Sequence, residues 1–81
     1  MIYPLDYGYL KGVAGGDGND IDVWKGSLSE SHLSGIACTV DTLKRDGEYK
    51  LLVGCTNREM DTVREFHSNP YMSCIVVTRP R

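Results

Sequence analysis

The residues with the greatest potential for chemistry lie near the start of the chain, in Asp17-Gly18-Asn19-Asp20-Ile21-Asp22, directly after Gly15-Gly16. Three carboxylates this close repel one another unless a cation lies among them. Carboxylate oxygens are the hard ligands that Mg²⁺ and Ca²⁺ prefer, and glycines let the backbone bend so that several side chains converge. The segment therefore predicts a divalent metal site, whereas composition alone favours an acidic Asx-rich turn without metal.

Other known loop motifs do not fit this spacing. An EF-hand loop needs an oxygen ligand where Ile21 stands and a glutamate where Leu28 stands. A Walker loop needs Gly-Lys-Ser/Thr, which the sequence lacks. A dinucleotide-binding loop follows a strand and opens a helix, whereas these glycines precede a predicted strand. A metal site here would therefore be of another type.

Hydrophobic periodicity predicts the elements that must position these residues. Residues 1–20 are rich in glycine without a periodic pattern, which predicts a loop packed by tyrosines. Residues 21–25 alternate apolar and polar side chains, which predicts a half-buried strand. Residues 35–43 and 49–55 predict two further strands. The intervening Lys44-Arg45-Asp46-Gly47 predicts the turn that joins them, with Asp-Gly as its strongest signal.

A single helix is predicted after these strands. Thr56 is its N-cap, and Glu59 completes a capping box three residues later. Asn69-Pro70 ends it because proline cannot continue the pattern. Apolar residues three apart give the helix one buried face: Met60, Val63 and Phe66.

The predicted fold class is α+β, mainly β. It comprises a small, mostly antiparallel curved sheet or a partial five-stranded, OB-like barrel, with one helix in the C-terminal half. Residues 74–78 supply the last strand, and residues 1–81 form one domain. If the sheet does not close, an edge needs cover from another subunit, so we expect a homo-oligomer.

Composition narrows the class of protein. The net charge of −2, from nine basic and eleven acidic residues, argues against a dedicated nucleic-acid binder. No segment has the length and apolarity of a membrane span, and Met1 is not followed by a signal-peptide pattern. The three cysteines are widely spaced and lie in apolar stretches, so we expect buried thiols and a cytoplasmic protein.

Two linked motifs resemble those of the soluble, magnesium-dependent inorganic pyrophosphatases. The first is Tyr3-Pro4-Leu5-Asp6-Tyr7-Gly8-Tyr9-Leu10, similar to the family's Tyr-Pro-x-Asn-Tyr-Gly-Phe-Ile-Pro. The second is Gly16-Asp17-Gly18-Asn19-Asp20-Ile21-Asp22-Val23, similar to Asp-Gly-Asp-Pro-Leu-Asp-Val. The resemblance covers roughly the first 25 residues. It implies a small five-stranded barrel with flanking helices that hydrolyses pyrophosphate to two phosphates.

The resemblance also implies roles for individual residues. Asp17 and Asp22 match metal-binding aspartates, and Tyr7 matches a tyrosine beside the nucleophilic water. A weaker match at Asp46-Gly47-Glu48-Tyr49-Lys50 adds Asp46 and Glu48 as metal ligands and Lys50 as a phosphate ligand. Tyr71 corresponds to a late substrate-binding tyrosine. The implied cofactor is Mg²⁺, and the implied ligand is inorganic pyrophosphate or phosphate.

The motif departs from the family at its centre. Asn19 stands where the family has the aspartate that supports the attacking water, and an amide cannot act as a base. Asp20 replaces the family's proline and is the carboxylate available to take that role. The family's earlier strands, with their Lys, Glu and Arg ligands, have no counterpart in these residues. The alternative is therefore a pyrophosphatase-like module that binds metal or phosphate, or mediates assembly, without turnover.

Overall fold

The computed structural model describes residues 3–14 and 20–79, which form five strands and one helix. In chain order the elements are β1 (Asp6–Ala14), β2 (Asp20–Lys25), β3 (Leu33–Asp41), β4 (Asp46–Val53), α1 (Asn57–Phe66) and β5 (Met72–Thr78). The mainly β fold with one helix in the C-terminal half is confirmed.

The five strands form one open sheet in the order β1-β2-β4-β3-β5. The pairings β1–β2, β3–β4 and β3–β5 are antiparallel, and β2–β4 is parallel. Strand β4 lies between β2 and β3, and β3 lies between β4 and β5. Among the described residues β1 and β5 are therefore the two edges of the sheet.

The predicted loop over residues 1–20 is wrong for β1. Tyr7 pairs with Trp24 and Leu10 pairs with Ile21 in an antiparallel hairpin with β2. The segment alternates side chains between two faces, and tyrosine favours such a pleated, half-buried surface. This preference outweighs the glycine content of residues 1–20, on which the predicted loop was based.

The predicted position of the β3–β4 turn is also wrong. The turn occupies residues 42–45, and Asp46-Gly47 instead begins β4, paired with Asp41 and Val40. Asp41 organises the turn, since its Oδ1 accepts hydrogen bonds from the backbone N–H of Leu43 and Lys44. Arg45 takes the left-handed conformation, with φ of 58°, that glycine was expected to supply.

The helix begins as predicted. The Thr56 hydroxyl accepts from the Glu59 N–H at 3.1 Å, and the Glu59 carboxylate accepts from the Thr56 N–H at 2.9 Å. Glu59 also accepts from the Ser27 N–H, at 3.0 Å, so the capping box joins the helix to the loop after β2. The helix ends at Phe66, with His67 as its C-cap.

One side of the sheet, which we call the helix face, packs against α1. Trp24 and Leu52 are fully buried there, beneath Met60 and Val63 of the helix. Rings of neighbouring elements surround the indole of Trp24: Tyr3, Tyr7, Phe66 and His67. Of the cysteines, Cys55 and Cys74 are buried and Cys38 is half-buried, and all three are free thiols.

The described part of the chain has no helix with the length and apolar character that crossing a bilayer requires.

Candidate functional site

Strand register brings four polar residues to one end of the helix face. Asp22 lies opposite Lys50 in the parallel β2–β4 pair. Glu48 shares its face with Lys50 because side chains two apart on a strand point the same way. Tyr7 reaches the same point from β1, next to Trp24. Three strands thus position these four side chains.

Lys50 is the centre of this group. Its side-chain Nζ lies 2.9 Å from Asp22 Oδ2 and 2.7 Å from Glu48 Oε1. It also lies 3.4 Å from the Tyr7 hydroxyl and 5.8 Å from the centroid of the Tyr7 ring. The residue is only 4% exposed, whereas the side chains of Asp22 and Glu48 are 33% and 48% exposed. A buried ammonium is therefore held beneath two carboxylates that solvent reaches.

The ion pairs set the charge of Lys50 and Asp22. Burial by itself would lower the pKa of Lys50, but hydrogen bonds to Glu48 and Asp22 outweigh it and raise that pKa. Burial by itself would raise the pKa of Asp22, but hydrogen bonds with Tyr7 and Lys50 outweigh it and lower that pKa. Both groups are therefore ionised at neutral pH.

The Tyr7 hydroxyl stays protonated. Burial and the hydrogen bond to the Asp22 carboxylate raise its pKa to about 12. At neutral pH it is thus a hydrogen-bond donor to the carboxylate or to an anion beside it.

His67 lies beside the four residues, a position that the sequence did not reveal. Its Nε2 accepts a hydrogen bond from the Trp24 indole N–H at 3.1 Å. Burial and the charge of Lys50 lower the pKa of the imidazole, so it is neutral at pH 7. The sequence placed His67 near the helix C-terminus, but no local signal indicated its contact with a tryptophan 43 positions away.

The remaining predicted site residues lie apart from this group or outside the described residues. Asp17 and Asn19 fall outside the described residues. Asp20 begins β2, on the same face as Asp22, and Asp46 begins β4; both are exposed. Tyr71 is exposed in the connection before β5, where its carbonyl accepts from the Thr42 backbone and hydroxyl. Among the described residues, Asp20, Asp46 and Tyr71 make no hydrogen bond or ion pair with Lys50.

No family model, curated protein or solved structure matches this chain. The resemblance carried by the tyrosine and aspartate motifs thus remains a prediction.

Asp22 and Glu48 offer carboxylate oxygens, which are the type of ligand that Mg²⁺ prefers. Asp22 and Glu48 both place a carboxylate oxygen within 2.9 Å of one point, the Lys50 nitrogen, so the two side chains already converge on a cation. A metal ion held by these oxygens would compete with the ammonium. Within residues 3–14 and 20–79, no group of three or more His, Cys, Asp or Glu side chains could hold a metal ion. Among the described residues, the structure thus brings two carboxylates, Asp22 and Glu48, together at this point and no third one.

Proposed function

We propose that this protein hydrolyses inorganic pyrophosphate to two phosphates in a magnesium-dependent reaction, with water as the attacking group. The observation that supports the proposal is the meeting of Tyr7, Asp22, Glu48 and Lys50. Tyr7 and Lys50 are 43 positions apart in sequence, and three strands bring the four together. The resemblance to pyrophosphatases had assigned these same residues to substrate and metal.

Lys50 would bind a phosphate group of the substrate. Its pKa is raised, so it carries a full positive charge, and its ammonium has three donors with which to contact oxygen. Glu48 is the more exposed of its two partners, and a phosphate oxygen would replace this contact most easily. Tyr7, protonated below a pKa of about 12, would donate a second hydrogen bond to the same phosphate.

Asp22 and Glu48 would hold Mg²⁺, together with Asp17, which precedes Asp22 by five positions. Magnesium, when bound, would lower the pKa of a water ligand and neutralise negative charge on the phosphate oxygens. Asp22 suits this role because its lowered pKa keeps it ionised well into the acidic range. Phosphoryl transfer needs mostly positioning and charge stabilisation, which rigid neighbouring strands provide.

Asn19 supports a second candidate function, the binding of phosphate or metal without turnover. An amide cannot take a proton from the attacking water. The fold and the Lys50 group would then retain affinity for phosphate while hydrolysis is lost. Because all three cysteines are free thiols, we propose the cytoplasm as the compartment for either function.

Phosphate release from pyrophosphate, with and without Mg²⁺, tests the proposal. The wild-type chain should release phosphate only with Mg²⁺, and Asp22→Asn should abolish release. Asp61→Asn is the matched control because Asp61 lies on the exposed side of α1, paired with Arg64. Release that survives Asp22→Asn would contradict the site.

Asn19→Asp separates the two candidate functions. A wild-type chain without activity that gains it in Asn19→Asp would identify a binding module that lost only its base. If neither chain releases phosphate, calorimetry with pyrophosphate and Mg²⁺ decides whether binding remains. Absence of both binding and release would overturn both functions.

A further inference from the structure

The side of the sheet opposite α1, which we call the open face, is apolar, and α1 does not cover it. One row of cross-strand neighbours runs across all five strands through Gly8, Val23, Leu51, Ile36 and Val77. A second row contains Leu10, Ile21, Tyr49, Cys38 and Ile75. Exposure is greatest on β5, where Ile75 is 64% exposed and Val77 is 58% exposed, whereas Ile21 of β2 is only 8% exposed. Single exposed apolar residues are ordinary, but exposed and half-buried neighbours in two adjacent rows form a patch.

Charge is confined to one end of the open face. Strand alternation places Asp6 and Lys25 there, directly opposite each other in the β1–β2 pair. The Nζ of Lys25 donates to the carbonyl oxygens of Gly26 and Leu28, which lie in the loop after β2. The other described positions of this face in the strands are apolar residues, Tyr49, glycine or serine. A partner that fits it must therefore be apolar and need not carry a complementary charge.

The sequence pattern of the strands also indicates burial on both sides. In β5, Cys74, Ile75, Val76 and Val77 are consecutive apolar residues, so both faces of the strand are apolar. A strand with one solvated face alternates apolar and polar residues instead. The helix accounts for the burial of Cys74 but lies on the other side of the sheet from Ile75.

We infer that a second copy of this chain covers the open face, with the two sheets stacked face to face about a two-fold axis. A face without charge over most of its area is complementary to itself, as a two-fold interface requires. Sheets stack in this way about 10 Å apart with strands roughly aligned.

The size of the face is sufficient for such a dimer. Five strands spaced about 4.8 Å apart give a width of about 24 Å. The two rows, with a shorter third row of Val40, Gly47 and Ser73, give a length of about 20 Å. The flat area is thus roughly 500 Å² on each copy and roughly 1,000 Å² for the pair, which reaches the lower limit of a specific interface. The Lys50 group lies on the opposite side of the sheet and stays accessible in the dimer.

Ile75→Glu tests the inference. Ile75 is exposed in one copy, so the substitution should leave the fold intact, as shown by unchanged circular dichroism. In the dimer it buries one carboxylate from each copy, and we expect the dissociation constant to rise by roughly 100-fold. Leu43→Glu is the matched control because Leu43 is 70% exposed in the β3–β4 turn, away from both rows.

Sedimentation equilibrium over a range of concentrations measures the outcome. We expect wild type and Leu43→Glu to form dimers and Ile75→Glu to be a monomer. A wild-type monomer at the highest soluble concentration would overturn the inference. So would a dimer that Ile75→Glu does not weaken, since that result indicates pairing at a sheet edge instead.

Alkylation of Cys38 gives an independent measurement. Cys38 lies in the second row of the open face, whereas Cys55 and Cys74 are buried elsewhere. The rate of alkylation of Cys38 should fall as the wild-type concentration rises and stay constant in Ile75→Glu. A rate independent of wild-type concentration would contradict the stacked dimer.

Discussion

The indole N–H of Trp24 donates a hydrogen bond to Nε2 of His67, 3.1 Å away, and so joins the most buried ring of the sheet to the residue that ends the helix. This bond requires a neutral imidazole, since a protonated one has no free lone pair at Nε2. The stability of the core and the titration of His67 are therefore linked.

The first prediction follows from this linkage. His67 has a lowered pKa in the folded protein, so the unfolded chain binds the proton first, near pH 6.5. The associated stability is fully present above that pH and is lost as the pH falls through the folded pKa. We expect the wild-type Tm to drop between pH 7 and pH 5. Asp22, also with a lowered pKa, adds a second loss only below about pH 4.

His67→Gln should abolish the drop in Tm between pH 7 and pH 5. A glutamine carbonyl can accept from the Trp24 indole but does not titrate. Ser68→Ala, at an exposed neighbour of His67 that does not titrate, is the control and should keep the wild-type profile. Thermal melts at several pH values distinguish the variants, and an unchanged drop in His67→Gln would assign the effect to another group.

The second prediction concerns Lys50. Lys50→Met removes the ammonium between Asp22 and Glu48, which then repel each other. Breaking a fully buried pair costs roughly 3–5 kcal/mol, but these carboxylates are partly exposed, so we expect a loss of about 2 kcal/mol. Urea unfolding measures it, with Lys44→Met in the β3–β4 turn as the matched control.

Magnesium should restore part of that stability. With the ammonium gone, the two carboxylates are free to bind a dication, and a ligand that binds only the folded state stabilises it. Mg²⁺ should therefore raise the Tm of Lys50→Met more than that of wild type. Sodium chloride at the same ionic strength controls for screening of the repulsion. Equal effects of the two salts would show that no magnesium is bound there.

The third prediction concerns the close approach at Gly26. A Cβ there would lie 2.5 Å from the Gly54 carbonyl oxygen and 2.6 Å from the Cys55 Cα, both backbone atoms. Gly26→Ala should therefore destabilise the fold by about 3 kcal/mol. Gly8→Ala is the control, since nothing lies within 4 Å of its added Cβ, and it should change stability by less than about 0.5 kcal/mol. Equal unfolding midpoints would contradict this packing.

The fourth prediction concerns the capping box. Glu59→Ala removes the acceptor for the backbone N–H groups of Thr56 and Ser27. We expect the free energy of unfolding to fall by about 1 kcal/mol, the usual magnitude for a helix cap. Glu65→Ala, on the exposed side of the same helix, should be close to neutral. Chemical denaturation compares the two, and similar losses would show that the box does not stabilise this helix.

Local patterns predicted the elements that depend on neighbouring residues. The Thr56 and Glu59 capping box is complete within four positions, and alternation over residues 21–25 reports a strand directly. The position of the β3–β4 turn was predicted wrongly because the Asp41 side chain shifts the turn to residues 42–45. Strand β1 was missed because its pairing with β2, rather than its glycine-rich sequence, decides its structure.

The sequence indicated which residues form the candidate site but not how they contact one another. The resemblance indicated Tyr7, Asp22, Glu48 and Lys50, but the order of the strands alone decides that they meet. It also leaves Asp46 and Tyr71 outside the contacts of Lys50. His67 was not predicted as a neighbour because its contact with Trp24 spans 43 positions.

The parallel pairing of β2 with β4 has a consequence for how the chain folds. Asp22 and Lys50 meet across 28 positions, and β3 must be made before β4 can join β2. Bringing β2 and β4 together costs chain entropy before the ion pair between Asp22 and Lys50 can form. Long-range strand pairing of this kind is therefore slow. A nascent chain that has not yet emerged as far as Lys50 leaves Asp22 beside an unpaired strand edge. During synthesis this half-made sheet is the stage most exposed to aggregation.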